Sequence, residues 1–251
     1  MIAHNYYRGD HVEKLKAYLS YSAVLLCIFI FGGLMYASFD NNDQVITASA
    51  ETQPIIVIDA GHGGEDGGAS ANGVLEKDIN LAIALKLRDM LKASGFEVVM
   101  TRESDVSIYD SSASTVHEKK VSDMQNRVSM INSSDKNILI SIHQNKFEQS
   151  QYSGAQIFYS DNLPESAKLA EKIRLSVTGL LQPDNKRELK TDGDSIYILK
   201  NAQVPAVIVE CGFLSNVEEA KKLSDEKYQT EMAFAIYCGF LDYNKSAANA
   251  A

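Results

Sequence analysis

Ile55-Ile56-Val57-Ile58-Asp59-Ala60-Gly61-His62-Gly63-Gly64 decides how this chain is read. An apolar run of strand length ends abruptly in a histidine set among glycines. In α/β proteins, ligands and catalytic groups gather where strands end at the carboxyl edge of the sheet. A histidine there is held by a rigid strand and faces a sterically open loop. That position suits a metal ligand or a general base.

Working outward from this stretch, apolar strand-like runs alternate with helical patterns from Pro54 onward. Strands are expected at 55–59, 96–101, 137–143, 155–160, 195–199 and 205–210, and helices at 76–94, 122–133, 162–181 and 227–241. The first helix carries Ile79, Ala82, Ile83, Leu87 and Leu91 at one-face spacing, and Gly95 stops it. The alternation predicts an α/β fold with a single, mostly parallel twisted sheet of about six strands flanked by helices. Residues 103–121 are polar and irregular and read as a long connection.

The strand ends carry the chemistry. His62 closes the first strand, His143 closes NILISIH, and Glu210 closes PAVIVE. In a parallel sheet these ends share one edge, so side chains far apart in sequence can converge. Glu76 stands at the start of the first helix, just after the glycine loop. Two histidines and two glutamates in one crevice match zinc chemistry, in which three protein ligands and a water fill the catalytic site. The remaining carboxylate can act on that water as general base. Each residue also has a plainer reading. His62 can bind phosphate or satisfy a loop carbonyl, His143 can be an ordinary strand-end histidine, and Glu76 can be a favourable charge in a first helical turn. Glu210 is hardest to dismiss, because a carboxylate on a buried apolar strand costs desolvation unless paired or metal-linked. Arg102 and Asn145 are candidates for shaping the site. His117-Glu118-Lys119-Lys120-Val121 begins like a helical zinc motif, but Val121 takes the second histidine's place.

The chain has 251 residues and a formal net charge of −9, which argues against nucleic acid as a partner. Its cysteines are Cys27, Cys211 and Cys238, with no CxxC, which argues against a thiolate zinc site; a Cys211–Cys238 disulfide stays open. Cys211 is expected to face away from Glu210, since neighbouring strand residues point to opposite faces. The N-terminal part reads as an export segment. Ala23 to Phe39 contains no charge, Arg8, Lys14 and Lys16 precede it, and Asp40 and Asp43 follow. The positive-inside bias places the N-terminus in the cytoplasm and the remainder outside. The expected organisation is a cytoplasmic segment 1–22, a transmembrane anchor or signal segment 23–39, a linker 40–53, a catalytic domain 54–244 and a tail 245–251. Cleavage after Ala48-Ser49-Ala50 is the alternative to anchoring.

In order along the chain stand IVIDAGHGGEDGG, Glu76 in LEKDINLAIALKLRDML, MTRESD, NRVSMIN, ISIHQN, SGAQIFYS and VPAVIVECGFLSN. From about Pro54 to Tyr243 this series resembles the zinc-dependent N-acetylmuramoyl-L-alanine amidases of the amidase 3 type, bacterial cell-wall hydrolases. The resemblance implies Zn²⁺ held by His62, Glu76 and His143, with Glu210 as the catalytic glutamate. It implies cleavage of the bond between N-acetylmuramic acid and L-alanine in peptidoglycan. The long stretch before KKVSDMQNRV looks like the spore-cortex, germination-specific amidases of endospore formers, whose product feeds muramic-δ-lactam formation. Some members of that subgroup need an activating protein partner, and the 103–121 loop is a candidate contact. The span between His143 and Glu210 leaves no room for the inhibitory helix of some cell-division amidases. Further expectations are membrane attachment through the N-terminal segment and action in the forespore intermembrane space. The competing readings are a non-catalytic wall-binding scaffold on this fold and a zinc exopeptidase.

Overall fold

The computed structural model describes residues 53–191 and 195–248. The expected segments 1–22 and 23–39, and the linker up to Thr52, lie outside the described residues. In chain order the elements are β1 (Ile55–Ala60), β2 (Ser70–Ala71), β3 (Val74–Leu75), α1 (Glu76–Ala93), β4 (Glu97–Met100), α2 (Val116–Ile131), β5 (Asn137–Asn145), β6 (Gln156–Tyr159), α3 (Pro164–Leu180), β7 (Lys190–Thr191), α4 (Tyr197–Asn201), β8 (Ala206–Phe213), α5 (Val217–Leu223) and α6 (Glu226–Ala248).

Six strands form one sheet in the order β4-β1-β5-β8-β6-β7. The run β4-β1-β5-β8 is parallel throughout, and β6 is antiparallel to β8. The mostly parallel α/β sheet expected from the sequence is therefore present. Its central strands are apolar on both faces because both are covered. On one face Ile56, Ile58, Ile140, Ile142, Val207 and Val209 pack with residues of α1, α3 and α6. On the other, Val57, Leu139 and Ile208 pack with α2 and α4.

This topology positions the site. The chain leaves β1 through α1 to β4 on one side, then crosses through α2 to β5 on the other. The strand order reverses between β1 and β5, and open α/β sheets bind ligands in the crevice beyond the carboxyl ends at such a reversal.

Three expectations change. The run Ser195-Ile196-Tyr197-Ile198-Leu199 is not a strand: Tyr197–Asn201 forms the short helix α4, burying Ile198 and Leu199. So short an apolar run fits helix and strand equally, and packing against the α2 side of the sheet decides it. The sixth strand is instead the two-residue β7. Second, α2 starts at Val116 rather than near 122, capped reciprocally by Thr115 and Glu118. This shortens the irregular connection. Third, β5 runs on past His143 to Asn145, and β8 past Glu210 to Phe213. Both residues therefore sit within strands. Among the described residues no helix is long and apolar enough to cross a membrane.

Candidate metal centre

The centre is built from the segment after β1, the start of α1 and the far end of β5. His62 lies two residues beyond β1 with φ 62°, a left-handed conformation that only local restraint holds for a residue with a Cβ. The restraints are visible. Gly63 and Asp66 exchange backbone hydrogen bonds of 2.9 and 3.1 Å. The Asp66 carboxylate meets His62 Nδ1 at 2.8 Å. That contact leaves Nε2 directed at Glu76 Oε1, 3.3 Å away.

Glu76 is the first residue of α1 and is 3 % exposed. The small β2–β3 hairpin delivers it. Asn72 and Gly73 both have positive φ, as its two-residue turn requires, and Asn72 Nδ2 donates to Leu214 O at 2.8 Å. Glu76 Oε2 accepts from Ala69 N at 2.7 Å, while Oε1 accepts from Asn80 Nδ2 and Gln144 N, each at 3.2 Å. His143 Nδ1 lies 2.9 Å from the same Oε1.

The two imidazoles stand edge to face with centroids 5.1 Å apart. One ligand atom each from His62, Glu76 and His143 lies within 4.8 Å of the others, a grouping that can hold a metal ion. Two histidine nitrogens and one carboxylate oxygen form a donor set typical of catalytic zinc sites. The carboxylate on the far ring nitrogen of His62 is the usual support for a metal-bound histidine. Burial works against charging His62, but hydrogen bonds and charge from Glu76, then Asp66, push its pKa up to about 9. A metal bound there would therefore displace a proton. The two histidines hold the Glu76 carboxyl far below its ordinary range despite burial.

Glu210 faces His143 directly across the β5–β8 pair. The residue is partly exposed, but its Oε2 is buried and has no hydrogen-bond partner among the described residues. Burial, joined by the charge of Glu76 and opposed by His143 and His62, pushes its carboxyl up to about 7. A buried carboxylate oxygen without a donor beside three metal-type ligands is what a site prepared for an ion or an activated water leaves behind.

A family profile described as N-acetylmuramoyl-L-alanine amidase matches residues 56–242. The chain belongs to this family. The amidase is 36% identical over 230 residues to the germination-specific N-acetylmuramoyl-L-alanine amidase of Bacillus subtilis (strain 168), covering 91% of this chain and 96% of that protein. The CwlD amidase from Clostridioides difficile, solved in complex with the GerS lipoprotein, is similar in structure with a TM-score of 0.74 and 44% identity, covering 77% of this chain and all of that one. The amidase AmiC2 of Nostoc punctiforme matches with a TM-score of 0.66 and 28% identity, covering 76% and 97% of the two chains. The enzyme thus hydrolyses the N-acetylmuramoyl-L-alanine amide of peptidoglycan.

The amidase structure brings His62, Glu76, His143 and Glu210 to one edge of the sheet. It puts Cys211 on the opposite face, fully buried in the core, with burial driving its thiol pKa far up. Among the described residues, Cys211 and Cys238 are both free thiols. Sequence reasoning missed Asp66, whose loop has no periodicity to read. It also missed Asp59 and Arg127. Asp59 did leave a signal: a carboxylate inside a buried apolar strand needs a partner. Arg127 supplies it at 2.5 Å.

Proposed function

We propose that this amidase is zinc-dependent, with His62, Glu76 and His143 holding Zn²⁺ and Glu210 acting as general base and then general acid. The observation that carries this reading is the convergence of the three ligand-type residues with the buried Oε2 of Glu210, which is unpartnered among the described residues. Zinc bound there would polarise the lactyl carbonyl and lower the pKa of a water towards 7. The protein's own part is to hold the donors. Asp66 fixes the His62 ring, and Ala69 N, Asn80 and Gln144 N fix the Glu76 carboxylate. Glu210, poised near neutrality, takes a proton from the attacking water and returns it to the departing L-alanine amine.

The cortex role follows from the germination-specific relative: the enzyme strips peptides from muramic acid so that the δ-lactam can form. Residues 54–244 act outside the cytoplasm, delivered by the apolar segment Ala23–Phe39 as an anchor or cleaved signal. The lipoprotein complex of the CwlD relative supports a protein partner here too.

Glu210→Gln tests the catalytic assignment. The variant keeps one zinc per chain by elemental analysis and loses turnover by at least about 10²-fold, the scale of a positioned acid–base group. Mass spectrometry of digested peptidoglycan is the readout, with stem peptides beginning in L-alanine as product. Full activity in the variant refutes the role of Glu210, and release of terminal amino acids instead identifies an exopeptidase. Spores of a deletion strain with normal δ-lactam content rule out the cortex role.

A further inference from the structure

Two buried arginines flank the first ligand. Arg102, just after β4, is 3 % exposed, and Arg127, in α2, is 2 % exposed. The Arg102 hydrogen bonds end on backbone carbonyls. Its Nε donates to Ala60 O at 2.8 Å, and its Nη2 donates to Gly61 O at 3.0 Å and to Lys77 O at 2.8 Å. Nη1 reaches Ser104 O at 3.1 Å. Ala60 and Gly61 lead into His62, and Lys77 follows Glu76. One guanidinium therefore ties together the two backbone segments that carry these residues. Gly63 lies so close that a Cβ there would meet Arg102 Cδ and Nε at 2.8 and 2.9 Å. Arg127 works from the other side. Its Nη2 donates to His62 O at 2.9 Å, while Nη1 and Nε are held by Asp59 and Asp123.

We infer that Arg102 is a positioning residue for the metal centre, setting the separation of His62 from Glu76 by bridging their backbone segments, with Arg127 fixing the His62 carbonyl. This rests on the reading of His62, Glu76 and His143 as ligands. A buried guanidinium with no carboxylate in its hydrogen bonds among the described residues is costly, and an apolar side chain would fill the space more cheaply. What an apolar residue lacks is a rigid fork of donors reaching two segments at once. The need is greatest where a residue with a Cβ is held at positive φ, as His62 is.

The test is zinc affinity, measured on the full chain by competition with a chromophoric chelator, beside thermal unfolding of the metal-free protein. Arg102→Lys keeps the charge but cannot span both segments. Its zinc dissociation constant is expected to rise about 10–100-fold, the usual effect of losing support behind a ligand. Arg127→Lys keeps a cation beside Asp59 and loses the fork to His62 O; it is expected to weaken zinc in the same direction and covers the case in which Arg102→Lys fails to fold. Leu169→Ala, which opens the core beneath α3, is the control: it lowers the unfolding temperature and leaves zinc affinity unchanged. Wild-type affinity in the folded arginine variants, or equal weakening by Leu169→Ala, overturns the inference. If wild type binds no zinc, or His62→Ala binds it as tightly, the ligand assignment itself has failed.

Discussion

Gly61 shows how closely the centre is packed at the level of single residues. A Cβ added there would overlap the His143 imidazole, so no other residue fits without moving a proposed ligand. At Gly68, with φ 65°, a Cβ would stand 2.6 Å from both Glu76 Oε2 and His62 Cδ2. Glycine is used at these positions to let backbone approach side chains. Gly61→Ala is therefore expected to displace His143, lower zinc stoichiometry and reduce activity by at least about tenfold, on the scale of lost ligand support. Elemental analysis with a muropeptide assay checks it, and full zinc occupancy would show that the ring has room to shift. The four residues His62, Glu76, His143 and Glu210 were legible in sequence because each is a polar group beside an apolar run. Asp66 was not, because what marks it is a 2.8 Å contact inside a loop.

Between elements, the decisive contact is the Asp59 cluster. Asp59 on β1 accepts from Ser141 on β5 at 2.6 Å and from Thr101 after β4 at 2.8 Å, and it pairs with Arg127 on α2. Burial alone would raise its pKa. The charges of Arg127 and His143, with the Ser141 and Thr101 hydroxyls, outweigh burial and hold the carboxyl at about 2. A pKa lowered by folding adds stability that is present in full above the unfolded value and lost as pH falls through it towards about 2. The amount is about 2–3 kcal/mol. Asp59→Asn leaves Arg127 without its buried partner and should cost about 3–5 kcal/mol at neutral pH. Urea unfolding at neutral pH and under acid conditions checks both points, because the variant's stability should fall less steeply with acid than that of wild type. The start of α2 was misplaced: a helix was expected from 122, whereas the reciprocal Thr115–Glu118 cap starts it at Val116. The run at 195–199 misled because five residues hold too little periodicity for local preference to decide.

At the scale of the whole molecule, the reversal of strand order between β1 and β5 turns separate strand ends into one site. Both faces of the sheet are covered by helices drawn from residues 76–248. A chain beginning at residue 53 therefore contains the core it needs. Such a truncated protein is expected to fold cooperatively, bind one zinc and cleave soluble muropeptides with the kcat/KM of the full chain. A calorimetric scan and steady-state kinetics test this; a large loss would give the first 52 residues a part in folding or catalysis beyond delivery.

Sequence by itself determined the layered α/β class and the identity of the four chemical groups. Apolar periodicity and residue chemistry are local properties, readable over a few positions. Tertiary structure alone decided that the four groups converge, that Asp66 orients His62, and that Arg102 and Arg127 grip the backbone around it. The Asp66 contact spans 4 positions in the chain and the Arg127 bond to His62 O spans 65, and only folding brings such groups within hydrogen-bond reach.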